Sequence, residues 1–458
     1  MSVELQPGFT RVQVGGDFYG PNFVRGLAQQ GAEYTILSEN KAKLQFRAGF
    51  DKDLKIVQVV KGEGFGINER TGRMTGTVSS YIGFEKDDRD NYWAFSKLDA
   101  PLDALNHNAS DPDVDFADLL VIPLRYKYLG SDSSELYIEG SFDDIAVGYG
   151  GDDAFDGLTG NDILVGNTGN DTLAGKEGDD TLIGGQGNDV IVGGTGNDDI
   201  RAGGGANIVK ADDGADMIDA GNGDNTIDGG SGADTIVTGS GADSIRGGLD
   251  GDTVNSGAGD DTVRGGDGDD VLDAGAGDDV VAGEDGNDVV RGGDGNDTLS
   301  GGNGEDSVYG GRGDDILEGT TDTNFLHGNA GDDQVIGSDG TDVLHGGLGN
   351  DTLSAGTAAD FVYGDPGFDV LSANGPDGAG DHTTDNFVFL TEFGHDVITD
   401  FETGFDAIRF GGSFSKADTD VERIGDDVLI TVHQGGDQTI LITGVAETFV
   451  PDIDIIFS

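Results

Sequence analysis

From Gly157 to Ser372 an apolar residue stands at one fixed place in every nine: Leu164, Leu173, Leu182, Ile191 and so on to Leu344, Leu353, Val362 and Leu371. The register holds for 24 units without insertion or deletion, and a looser unit, GYGGDDAFD at 148–156, precedes them in phase with Phe155 at its apolar position. The positions between are glycine, Asp, Asn and small polar residues. A period of nine is neither the 3.6 of a helix nor the 2 of a long strand. It suits a short strand of three or four residues around the apolar position, followed by a glycine-rich turn that tolerates positive φ. One unit then reverses the chain and two units close a coil. Coils stacked at the ~4.8 Å strand spacing form parallel sheets on two sides, with the eighth-position side chains inside. Ladders of this kind need every N–H, and no proline occurs between Pro123 and Pro366.

The sixth position carries the chemistry. It is Asp in every unit except three, which have Asn207, Asn225 and Asn324. Units 18 residues apart lie on the same side, so the acids fall into two columns. One runs Asp162, Asp180, Asp198, Asp216, Asp234, Asp252, Asp270, Asp288, Asp306, Asn324, Asp342, Asp360; the other runs Asp153, Asp171, Asp189, Asn207, Asn225, Asp243, Asp261, Asp279, Asp297, Asp315, Asp333, Asp351, Asp369. Carboxylates one strand spacing apart in a partly dry turn repel strongly, so a cation belongs between them. Oxygen donors alone, from carboxylates and turn carbonyls, favour calcium over magnesium or zinc. With one core side chain per unit, calcium binding is expected to be part of the folding energy. Asn207 and Asn225 are consecutive in their column, so the position between them has no repeat carboxylate and should hold calcium weakly or not at all.

The units resemble the GGxGxDxUx nonapeptides of the RTX (repeats-in-toxin) calcium-binding proteins. That resemblance implies an all-β chain built on a parallel β-roll, with calcium, about 20 ions here, held by the Asp residues of both columns and by turn carbonyls. It also implies folding outside the cell, where calcium is plentiful, and export through type I secretion machinery on an uncleaved C-terminal signal. The segment DNFVFLTEFGHDVITDFETGFDAIRFGG (385–412) resembles the piece that caps the last coil in RTX proteases and lipases. The ending DIDIIFS reads either as a tail of the family's type or as a final strand. Three regions are therefore expected: 1–140, an N-terminal antiparallel β domain; 141–372, the roll; and 373–458, a C-terminal β cap with the secretion signal.

Residues 1–140 differ in kind. They hold 15 of the 25 Lys and Arg against 21 Asp and Glu, the only tryptophan (Trp93), and alternating stretches such as KLQFRAGF and LKIVQVV. These predict antiparallel strands, with a short helical piece at 101–107. Beyond the cap, 428–445 alternates around Gly435-Gly436 and predicts a β-hairpin with His433 facing out.

Composition narrows the functions. With 88 acidic residues and a formal charge of -63, nucleic acid is an unsuitable partner. The absence of cysteine excludes disulfides and thiolate metal sites. No apolar run approaches membrane-spanning length, and the first residues lack the pattern of a secretory signal peptide. HExxH, GxSxG and P-loop motifs are missing, and His107 is the only histidine in residues 1–140. DPDVDF (111–116) starts like an EF-hand loop, but Phe116 stands where glycine is needed and Ile122 where the bidentate Glu belongs. No catalytic residue is assigned. Two classes follow: a calcium-rigidified extracellular or cell-surface protein that assembles with itself or adheres, and a polysaccharide-active secreted enzyme with its site in 1–140.

Overall fold

A computed structural model describes residues 142–374 and, with short interruptions, 383–457, together with the backbone of eight strands between Glu33 and Ile138. The fold is all-β, a parallel β-solenoid. Among the described residues the helical pieces are a 3-10 turn at Lys416–Asp418 and one turn at Pro451–Asp454. The chain divides into two compact units, Met1–Gln186 with Val192–Thr195, and Gly187–Ile191 with Gly196–Ser458.

In the first unit, Glu33–Ser38, Lys41–Arg47, Leu54–Ile67, Met74–Lys86 and Tyr92–Ala94 pair antiparallel in chain order, and Ala100–Pro101 pairs with Met74–Lys86. The rest of the expected helical piece, and His107 and 111–116, lie outside the described residues. Parallel coils then begin. Ile145–Gly150 pairs with Lys127–Leu129 and Ile163–Thr168, and Ala154–Asp156 with Leu136–Ile138 and Thr172–Glu177.

The second unit shows why the period is nine. Each strand pairs in parallel with the strand 18 residues on, so Ile227, Ile245, Val263, Val281 and Leu299 stand in one row. The alternate units form the opposite row, Ile218, Ile236, Val254, Leu272, Val290. Within a strand, burial alternates, with the eighth position and the first position of the next unit inside. All of the eighth-position side chains are buried, at 2% exposure or less. Burying one such side chain contributes about 1.5–3 kcal/mol, a thin apolar core for nine ordered residues. Turns close on glycine: Gly232 has φ +108, and a Cβ at Gly230 would collide with the Asp212 carbonyl one coil away.

The end of the second unit has a different core. Asn386–Phe389, His395–Ile398 and Ala407–Phe410 extend the two parallel sheets, while Thr419–Ile424, Asp427–Val432 and Gln438–Ile442 form an antiparallel meander. The expected hairpin is therefore present, and His433 at its end is exposed. Phe389, Phe393, Phe410 and Phe414 pack with ring centroids 4.7 to 6.3 Å apart. Ile455–Phe457 pairs with Ala407–Phe410 as a last strand.

Candidate metal centre

Every sixth-position Asp from Asp153 to Asp369 is buried, as are the three Asn residues. The two carboxylate oxygens have different surroundings. One closes the ladder between coils: the Asp252 N–H donates to Asp270 Oδ1 at 2.7 Å, Asp270 to Asp288 at 2.8 Å and Asp288 to Asp306 at 2.8 Å, and the Asp261 N–H donates to Asp279 at 2.7 Å. The other, Oδ2, has no hydrogen-bond donor at Asp162, Asp234, Asp252, Asp270, Asp288 and many equivalents. It lies over the first glycine of its own unit. A Cβ built on Gly229 would stand 2.5 Å from both Asp234 Oδ2 and the Gly247 carbonyl oxygen. A buried anionic oxygen and a carbonyl oxygen from the next coil thus converge where glycine leaves room.

An orphaned carboxylate oxygen in a buried position is costly. Burial pushes the carboxyls of Asp162, Asp252, Asp288, Asp315 and Asp351 up to about 7, against the ladder N–H that lowers them, and neighbouring carboxylates add to the rise. Asp270 and Asp279 are raised to about 6 by the same dominant cause. A hard dication reverses that penalty, and oxygen-only donors are the set calcium takes. The repeat Asp Oδ2 atoms and first-position carbonyls therefore fit the ion. Bound there, calcium would supply charge neutralisation; the chain supplies the ladder that orients each carboxylate.

Several members were missed in the sequence. Asp144 precedes the first unit and donates its N–H to Asp162 Oδ1 at 2.7 Å. Beyond the strict period, Asp360 donates to Asp385 at 2.8 Å, Asp369 to Asp396 at 3.1 Å and Asp385 to Asp406 at 3.2 Å, all buried. Burial, then Asp369, holds the Asp396 carboxyl well above the carboxylate range. The available signal was the Asp-x-apolar triplet, which survives where the period breaks: Asp385 to Phe387, Asp396 to Ile398, Asp406 to Ile408. A second ladder was also missed. Fifth-position oxygens accept from the following coil, as Asp269 from Asn287 N–H at 2.9 Å and Asp314 from Asp332 N–H at 2.9 Å.

The Asn positions are filled differently. Asn207 Nδ2 donates to the carbonyls of Ala220 at 3.3 Å and Gly205 at 3.4 Å, and Asn225 Nδ2 to Gly223 at 2.7 Å. Asn324 Nδ2 donates to Thr321 at 2.7 Å. The amide hydrogens thus satisfy turn carbonyls without an ion. On the same side, the first positions of five successive coils, Ala202, Ala220, Thr238, Ser256 and Ala274, carry side chains in place of glycine. Thr238 Oγ1 donates to the Ser256 carbonyl, and Ser256 Oγ to that of Ala274 at 2.9 Å.

Parallel coils with buried Asp ladders facing turn carbonyls define a calcium-binding β-roll. The profile of the hemolysin-type RTX calcium-binding nonapeptide repeat (4 copies) matches in overlapping stretches from 140–173 to 336–371, which together cover 232 of the 458 residues. The chain belongs to the RTX calcium-binding repeat family. No curated protein matches it. Among solved structures, it is similar to the AlgE6R3 subunit of the Azotobacter vinelandii mannuronan C5-epimerase (23% identity, TM-score 0.20, 32% of this chain and 81% of that one). It is also similar to the extracellular lipase LipA from Serratia marcescens (19% identity, TM-score 0.20, 50% of this chain and 40% of that one). No helix among the described residues is long and apolar enough to cross a membrane.

Proposed function

We propose that this is an extracellular structural protein whose roll stays unfolded until it meets calcium outside the cell, binds about 20 ions, and then presents a stiff scaffold that assembles with itself or adheres to a surface. The observation that carries the proposal is the file of buried, donor-less Asp Oδ2 atoms beside turn carbonyls, from Asp216 to Asp351. Extracellular calcium modules work at ~10⁻⁴–10⁻³ M, so the same chain is unfolded inside and folded outside. Charge supports self-association: about 20 bound calcium ions would bring the formal charge of -63 to roughly -23, which makes contact between acidic copies less unfavourable. In this reading residues 1–140 bind the partner or another copy, 141–372 are the calcium roll, and 373–458 cap it and carry the type I export signal.

Circular dichroism tests the folding step. In excess EGTA at pH 8 the sheet signal of the roll should be lost, and millimolar calcium should restore it cooperatively; equal sheet content in both would refute the proposal. Electron microscopy of the calcium-loaded chain tests the assembly step. Ordered polymers are expected, whereas monomers that degrade a polysaccharide would establish the secreted-enzyme reading instead.

A further inference from the structure

The ninth position of the repeat points outward from the sheet, and in one stretch of the second unit it is aromatic in successive coils. Tyr309, His327, His345 and Tyr363 stand in register on Ser307–Arg312, Phe325–Ala330, Val343–Leu348 and Phe361–Tyr363. The His327 and His345 rings stack with centroids 5.2 Å apart and planes at 14°, and Tyr363 covers the far face of His345 at 4.2 Å and 13°. Two residues past Tyr363 the chain turns at Asp365, in the left-handed region at φ 64, which brings its Oδ2 to 2.8 Å from His345 Nδ1. His327 Nδ1 is buried and has no hydrogen-bond partner.

We propose that His327, His345 and Asp365 form a binding site for one divalent transition-metal ion of the zinc class, separate from the calcium columns. One donor atom from each of the three residues lies within 4.8 Å of the others. Donors around a tetrahedral zinc at about 2.0–2.2 Å stand roughly 3.3 Å apart, so rotations moving each donor by about an ångström complete the shell. Two imidazoles and one carboxylate, with a fourth position for water, suit zinc and exclude calcium, which takes oxygen donors. The stacked Tyr363 ring restricts His345. An entry path exists, since the His345 and Asp365 side chains are 21% and 29% exposed.

The location gives the site a purpose. The unit 319–327 is the one in its column whose sixth position, Asn324, lacks a carboxylate, and its turn has Asp322 at φ 62 at the fourth position, where most units use glycine. An ion held by His327, His345 and Asp365 would tie this coil to the next two from the outside, beside the one position of this column that lacks a repeat carboxylate.

The test uses the full chain in millimolar calcium, so that the roll is folded, and cobalt(II) as the probe. One equivalent of cobalt should bind with the intense visible absorption of a four- or five-coordinate nitrogen-containing site and be displaced by one equivalent of zinc. His327→Gln and His345→Gln should each weaken binding at least about 100-fold, and Asp365→Asn about 10-fold, while His433→Gln changes nothing. Calcium-loaded circular dichroism checks that each variant is folded; if His345→Gln is not, His327→Gln and Asp365→Asn decide. Only the weak absorption of octahedral cobalt, or an intense band that survives in His327→Gln, would overturn the proposal. Neither result bears on calcium-dependent folding.

Discussion

The two turn columns of the second unit run along the same coils yet solve the same problem in different ways. On one side Asp216, Asp234, Asp252, Asp270 and Asp288 face turns that begin mostly with Gly229, Gly247, Gly265 and Gly283, and their Oδ2 atoms have no donor. On the other side, over the same span, Asn207 and Asn225 donate amide hydrogens to turn carbonyls and Thr238 and Ser256 donate hydroxyls. Asp243, Asp261 and Asp279 in that second column also keep donor-less Oδ2 atoms, so the columns differ only around the two Asn residues and the first-position side chains. The difference shows that a buried turn carbonyl can be satisfied by an amide or hydroxyl donor of the chain itself. Under the proposed function the stretch from Asn207 to Asn225 should depend less on calcium than the opposite column, although the nonapeptide pattern is continuous through both.

The largest test is pH without metal. The buried carboxyls have folded pKa values raised from 3.8 to about 6 or 7, so the metal-free coils bind protons more tightly than the unfolded chain. That stabilisation is fully present below about pH 4 and is lost as pH rises through 6 to 7; each such group contributes about 1–3 kcal/mol at pH 5 relative to pH 8. In EGTA, circular dichroism should show sheet returning on acidification from pH 8 to pH 5, and the calcium needed at pH 5.5 should exceed that at pH 8 because protons compete. A metal-free chain equally unfolded at both values would contradict the assigned burial.

Next in size, Asp252→Asn with Asp270→Asn should remove one ion and about 1–2 kcal/mol of stability at calcium roughly tenfold above the site's Kd, read as fewer bound ions by calorimetry and a lower Tm. The reverse change, Asn207→Asp with Asn225→Asp, should add about one ion in saturating calcium and raise the calcium requirement for folding. If the wild-type position between Asn207 and Asn225 fills at limiting calcium as fully as that between Asp261 and Asp279, the contrast between the columns fails. The smallest effect belongs to a backbone. Thr320→Gly relieves the positive φ of a side-chain-bearing residue and should stabilise by about 1 kcal/mol, seen as a small rise in Tm with calcium saturating.

Much of this architecture was legible because the signal is local and repeated. A nine-residue period with one apolar and one acidic position leaves a short strand and a tight turn as the only economical reading, and the 18-residue pairing follows from it. Asp162, Asp234 and Asp288 could be proposed as ligands for the same reason, and all three are buried. Asp385, Asp396 and Asp406 were harder, since the nine-residue count ends at Ser372 while the strands still pair, Leu371 with Ile398 and Phe387 with Ile408. The aromatic core of Phe389, Phe393, Phe410 and Phe414 has no period at all.

By itself the sequence determined the coil, its handover of one apolar side chain per turn, and the chemistry of the ion, since those depend on neighbours within nine residues. The tertiary structure alone decided which oxygen of each carboxylate faces the ladder and which is left without a donor. It also decided that Asn amides and the Thr238 and Ser256 hydroxyls donate to turn carbonyls, and that His327, His345 and Asp365 meet on one outer face. These are contacts between residues about 18 or more apart, and their geometry is set by stacking and side-chain rotation, which no local pattern encodes.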